Sequence, residues 1–240
     1  MTSLDVTVHD GPAGAPTVIL VHGALDRSAN FARVAAALPE LRVVRYTRRG
    51  YDGSGPPGGV DVDVHVADLL TLLDRPSVLI GHSYGALVAL GAAVHEPALV
   101  PALGVFEPPL PWEPWWPPRF QFDDPTTAAE VFFRAVVGHD AWDRLPDRFR
   151  QARVADGPAL MADVGSAVGG LAFDFTDVLS PVAAAYGSET TEAFRRSAET
   201  VAADCVHGAR LSVIDGAAHG AHLTHPEEFA DWVRSVVAMA

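Results

Sequence analysis

Ser83 lies between Gly81 and Gly85 in the segment LIGHSYGAL, residues 79–87. A G-x-S-x-G pattern after an apolar strand and before a helix demands a sharp turn. The serine takes a strained backbone conformation, and a Cβ at either flanking position would collide with neighbouring backbone, so glycine is needed at both. The hydroxyl is left exposed at a helix start, where the helix dipole favours a developing anion. This is the setting of a nucleophile; the bland alternative is a serine that only caps the helix.

A serine hydroxyl needs a base at neutral pH. Of ten histidines, His219 in IDGAAHGAHL (214–223) is the best placed, because it follows the last strand and precedes the last helix. His222 is second and is expected to face a lid or solvent, whereas His95, His139 and His207 read as surface residues. An oxyanion requires donors. The N–H of Tyr84, next after the serine, supplies one, and the N–H of Ala24, after the strand ending in His22 and Gly23, supplies the other.

The elements that must position these residues alternate. Apolar runs at 4–9, 17–23, 41–47, 77–81, 101–107, 181–187 and 209–215 read as strands. Helical spacing is seen at 30–38, 62–73, 84–95, 190–203 and 226–239, and residues 48–59 form a glycine- and proline-rich loop. Strands alternating with helices predict an α/β fold with a mostly parallel central sheet flanked by helices. Residues 108–180 interrupt that rhythm with a Pro/Trp-rich run and amphipathic pieces at 126–137, 140–153 and 157–168. They read as a helical cap inserted between two strands, with 1–107 and 181–240 forming the core domain. A sheet of this kind binds ligands beyond the carboxyl ends of its strands, where such an insertion lies.

Composition narrows the class. The chain has 240 residues, 49% of them hydrophobic, which suits one globular domain with a sizeable core. Its formal net charge of −13 argues against a nucleic-acid partner. One cysteine, Cys205, allows no intramolecular disulfide and makes a thiolate metal site improbable, so no metal is expected. No apolar run approaches the roughly 20 residues that span a bilayer, and the start MTSLDVTVHD lacks the features of a secretory signal. The expectation is a cytoplasmic protein acting on a small molecule, with no membrane partner; oligomeric state is not legible.

The motifs VILVHGA, YTRRGYDGSG, LIGHSYGA and GAAHGAHLTHPEEF, in this order, resemble those of the α/β-hydrolase fold over nearly the whole chain. The resemblance implies a Ser–His–acid triad, a cap over the pocket and no cofactor. Two departures stand out. Thr47 occupies the place where relatives often carry Asp before the R-G-x-G loop, and the triad acid is ambiguous. Most relatives place it as G-x-x-D after the strand that precedes the second-to-last helix, where this chain has Thr190, with Glu189 one residue early. Some members, haloalkane dehalogenases among them, carry a glutamate in a setting similar to that of Glu107, directly after the strand GVF. Glu107 and Glu189 are both candidates, with Asp215 behind them. Glu189 alternatively opens the following helix, and Glu107 alternatively holds the start of the lid.

His22, His82, Trp112, Trp115 and Trp116 are the candidate substrate-binding residues, with Phe120, Phe132 and Phe133 as further lid aromatics. An aromatic, proline-stiffened lid favours apolar acyl or alcohol groups. The expected function is therefore a serine hydrolase, carboxylesterase-like, cleaving a small, apolar ester or lactone through an acyl-enzyme. The alternatives are C–C bond or thioester hydrolysis, lyase or peracid chemistry on the same triad, and a non-catalytic ligand-binding protein.

Overall fold

The computed structural model describes residues 4–56, 58–118 and 120–240; residues 1–3, Pro57 of the glycine-rich loop and Arg119 of the Pro/Trp run lie outside it. The described residues form one seven-stranded sheet: β1 (Asp5–His9), β2 (Thr17–Val21), β3 (Arg42–Thr47), β4 (Ser77–His82), β5 (Leu103–Phe106), β6 (Val182–Gly187) and β7 (Arg210–Ile214). Their spatial order is β1-β3-β2-β4-β5-β6-β7. β1 runs antiparallel to β3, and every other pair is parallel.

The continuous apolar run of β2 reflects burial on both faces. Ile19 and Val21 join the core on one side of the sheet, with Leu79, Val105 and Ala184. Val18 and Leu20 join the core on the other side, with Val78, Ile80, Phe106 and Ala183. A strand covered on both faces cannot alternate with polar residues. β1 is an edge strand, and four of its five residues are exposed.

Helices cover both faces: α1 (Ala32–Ala36), α2 (Val62–Leu70) and α3 (Tyr84–His95) follow β2, β3 and β4. α3 is so deeply set that every residue from Tyr84 to Ala93 is buried. Between β5 and β6 the chain forms α4 (Pro125–Val136), α5 (Ala141–Arg144), α6 (Asp147–Ala155) and α7 (Gly157–Val168), and no strand among the described residues. α4 starts where its sequence says: Asp124 accepts the N–H of Thr126 at 2.7 Å and Pro125 occupies the first turn. The helical spacing over 140–153 resolves into two helices, because Leu145 takes an extended conformation ahead of Pro146. α8 (Glu192–Asp204), the one-turn α9 (Ala221–Thr224) and α10 (Pro226–Val237) complete the chain. No helix among the described residues is long and apolar enough to cross a membrane.

A buried ion pair ties α7 to the loop after β3. Arg48, fully buried after β3, donates to Asp163 of α7 from Nη1 at 3.1 Å and from Nη2 at 2.6 Å. Tyr51 Oη donates to the same carboxylate at 2.6 Å. Burial alone would raise the Asp163 carboxyl, but Arg48 and His65 outweigh it and hold the group below the ordinary carboxylate range.

Candidate active site

β4 ends at His82, whose register partner on β5 is Phe106. Ser83 and Glu107, the next residues on the two strands, therefore emerge side by side at the carboxyl edge of the sheet. Both have a left-handed φ, +53° at Ser83 and +48° at Glu107. The sheet holds them there: Ser83 N–H donates to Phe106 O at 2.8 Å, and Glu107 N–H to Ala185 O at 3.0 Å. A non-glycine residue in this region costs on the order of 1–3 kcal/mol and persists where its surroundings over-determine it.

The flanking glycines have the steric reason expected of them. A Cβ at Gly81 would lie 2.4 Å from Ala86 Cα, and one at Gly85 would lie 2.3 Å from Val21 O. The turn can close against α3 and β2 only without those side chains.

Glu107 is 0% exposed and fully engaged. Its Oε1 accepts the N–H of Gly187 at 2.9 Å, and its Oε2 accepts from Thr190 Oγ1 at 2.9 Å and from His219 Nδ1–H at 2.6 Å. This contact fixes the His219 tautomer, leaving Nε2 as the bare nitrogen, and it spans 112 residues. Glu189, by contrast, is exposed in the turn before α8, where its N–H donates to Ala217 O at 2.8 Å. Its side chain makes no bond to His219 among the described residues. Asp215 is exposed and accepts from Ser188 Oγ at 3.3 Å. Thr190, the residue at the relatives' acid position, thus supports the carboxylate that comes from β5.

Ala24 and Tyr84 both border the cavity that opens on Ser83. Among the described residues neither N–H donates to a backbone carbonyl, so both are available to an oxyanion. The loop carrying Ala24 is pinned through His22. Its Nδ1–H donates to Gly23 O at 2.7 Å, and its Nε2 accepts the Arg48 N–H at 2.8 Å. Burial, reinforced by Arg48, pushes the His22 imidazole down to about 3. His22 borders neither cavity at Ser83 and shapes the loop instead, a correction to its reading as a substrate contact.

Two cavities meet at Ser83. One of about 70 Å³ is apolar and is bordered by Ala24, Tyr84, Trp116, Phe132 and Phe194, together with Val164 of α7. The other, about 330 Å³, is bordered by His82, His219, His222, Asp26, Phe133 and Leu223. Trp116, Phe120, Phe132 and Phe133 thus reach the cavities. Trp112 does not: it borders a separate cleft with Phe173 and Phe175. Nor does Trp115, which packs beneath the Arg196 guanidinium at 4.5 Å. Phe194 escapes sequence reasoning, although it stacks on His219 with ring centroids 4.1 Å apart. It sits in a predicted amphipathic helix, and nothing local separates it from an ordinary core residue.

His222 departs from expectation. It is 2% exposed, packs on Phe31 at 4.7 Å between centroids, and lies 3.2 Å from Asp26. α9 turns its side chain inward, against His82, with ring centroids 4.3 Å apart. Exposed positions at His95, His139 and His207 agree with their reading as surface residues.

A hydroxyl at a strained turn and an imidazole oriented by a buried carboxylate thus border one cavity, with the Ala24 and Tyr84 N–H groups at the adjoining one. Comparisons with known proteins agree on the fold. The model of the alpha/beta hydrolase family matches residues 18–232. The chain is 32% identical over 102 residues to lipase LipV of Mycobacterium tuberculosis, a match covering 41% of this chain and 39% of that protein. It is 33% identical over 114 residues to epoxide hydrolase A of the same organism, covering 43% and 35%. The chain therefore spans less than half the length of the curated relatives it matches. Among solved structures, it resembles a hydrolase from Pseudomonas aeruginosa with a TM-score of 0.77, at 22% identity over 97% of this chain and 93% of that one. It also resembles an enol-lactonase from Burkholderia xenovorans, with a TM-score of 0.72 at 19% identity over 98% and 96%. With the family model covering nearly all of the sheet and the site, the chain belongs to the alpha/beta hydrolase family.

Proposed function

We propose that this protein is a serine hydrolase that cleaves a small carboxylic ester or lactone with an apolar acyl part, through an acyl-enzyme. The carrying observation is the 2.6 Å contact of Glu107 Oε2 with His219 Nδ1, beside Ser83 in its left-handed turn. Ser83 Oγ attacks the substrate carbonyl while His219 Nε2 takes its proton. The N–H groups of Ala24 and Tyr84 hold the oxyanion. Collapse expels the alcohol, which leaves with the proton from His219. Water, activated by the same nitrogen, then adds to the acyl group, and Ser83 recovers its proton as the acid departs.

The two cavities divide the substrate. The apolar one adjoins the oxyanion donors and suits the acyl group. The larger one adjoins His219, the proton donor to the leaving oxygen, and suits the alcohol. Residues 108–180 act as the cap: Trp116, Phe132, Val136 and Val164 roof the acyl side. Their chemistry favours short alkyl or aromatic acyl groups. The names of the lipase relative and the lactonase neighbour are consistent with this reading.

The test is turnover of p-nitrophenyl acetate and butyrate and of a small lactone, with fluorophosphonate labelling. Labelling is expected at Ser83, and Ser83→Ala is expected to lose about a thousandfold or more. Full activity in Ser83→Ala, or a panel with no turnover and no labelling, overturns the proposal.

A further inference from the structure

Asp26, His82 and His222 form a second polar cluster in the wall of the larger cavity, and the reaction above assigns it no task. All three are more than nine-tenths buried: Asp26 is 7% exposed, His82 4% and His222 2%. Their free atoms are an anionic oxygen and imidazole nitrogens, one of which on His222 carries the ring proton that a bound cation would displace or leave on the far nitrogen. His82 Nε2–H donates to His219 O at 2.8 Å, so its Nδ1 presents a lone pair, and that atom has no partner in the protein. Asp26 Oδ1 accepts from the Arg27 N–H at 2.8 Å and from the Asn30 amide. Asp26 Oδ2 is left over. His222 Nε2 approaches that oxygen to 3.2 Å without the alignment of a hydrogen bond, and its Nδ1 is unpaired as well.

Buried polar atoms ordinarily find partners. Here an anionic oxygen and imidazole nitrogens converge, with one donor atom from each residue within 4.8 Å of the others. Such a set, rich in lone pairs and carrying a negative charge, matches a cation better than a neutral hydrogen-bonding group. Two imidazoles and one carboxylate suit a borderline divalent transition ion over magnesium or calcium. Bonds of roughly 2.0–2.2 Å to such an ion would require the three donors to draw closer together than they stand.

We propose that Asp26, His82 and His222 bind one divalent transition-metal ion, of the zinc or cobalt kind, with an open coordination position facing the larger cavity. An ion held there takes up space beside Ser83 and His219 on the side given above to the alcohol. The site itself does not depend on that assignment.

The test uses the untagged full chain after chelator treatment, titrated with Co²⁺ and then Zn²⁺. One Co²⁺ per chain is expected, with the visible absorption of a low-coordinate site, displaced by Zn²⁺ and not by Mg²⁺ or Ca²⁺. His222→Ala and the near-isosteric Asp26→Asn should each weaken binding by at least the roughly tenfold that even an outer-shell partner commands. His139→Ala and His207→Ala, both at exposed positions, should leave it unchanged. Circular dichroism establishes that the variants are folded. Should either site variant fail to fold, the wild-type protein decides: an added Zn²⁺ raises its Tm if the site exists. No Co²⁺ binding and no Zn²⁺ shift in the wild type, or binding indifferent to both site variants, overturns the proposal. These readouts need no ester turnover, so they stand or fall apart from the hydrolase reading.

Discussion

Ser83 and Glu107 leave neighbouring strands at the same level, each with a left-handed φ, and point their side chains to the same edge of the sheet. The hydroxyl and the carboxylate are thus fixed by one stretch of parallel ladder, and only His219 has to be delivered from elsewhere. Glu107→Gln keeps the shape but removes the charge that orients His219, as in other triads. We expect kcat on a p-nitrophenyl ester to fall by about a hundredfold or more. Glu189→Ala should stay within about twofold, since surface changes away from the site have little effect. Equal losses in the two variants would break the assignment of Glu107.

The cavity walls separate acyl from alcohol preference. Val164 borders only the apolar cavity, so Val164→Phe should lower kcat/KM for butyrate and hexanoate esters by about tenfold or more relative to acetate. Leu223 borders only the larger one, and Leu223→Trp should instead penalise bulky alcohol groups. A panel varied independently in its acyl and alcohol parts reads both. Exchanged preferences would mean that the substrate binds in the opposite sense.

Asp163 is the only carboxylate partner of Arg48 among the described ion pairs, and both side chains are almost wholly buried. Asp163→Ala leaves a guanidinium uncompensated in the interior and should cost about 3–5 kcal/mol in urea unfolding. Adding Arg48→Met should recover part of that loss. A cost below about 1 kcal/mol for Asp163→Ala would contradict the buried pair.

His22 makes stability fall in acid. Its folded pKa is lowered to about 3 from 6.5, so below about pH 6.5 the unfolded chain takes up a proton that the folded chain refuses. Its share of stability is full above 6.5 and is lost progressively down to about pH 3. NMR of the ring nitrogens should find His22 neutral, with the proton on Nδ1, at pH 5. A protonated His22 ring at that pH would contradict the buried contact with Arg48.

Cys205 is 3% exposed, and burial, with the nearby Asp204 adding, pushes its thiol up to about 12. Iodoacetamide at pH 8 should leave the native protein unlabelled and label it in urea, because only the thiolate reacts. Rapid native labelling would show that the α8 end opens.

Much of this protein was legible from spacing alone. All seven strands and the turn at Ser83 follow from period, glycine placement and the continuous apolar runs of a doubly covered sheet. These are local signals, because backbone geometry and burial dictate residue type within a few positions. The carboxylate facing His219 was not legible, because Glu107 and Glu189 each follow a strand and each has a plausible local role. Strand register and the path of the chain to His219 decide between them, through contacts 80 and 112 residues apart. The same holds for Asp163 opposite Arg48, Phe194 against His219, and His222 beside Asp26: each pair meets only when helices dock, and a docking distance leaves no period in the sequence.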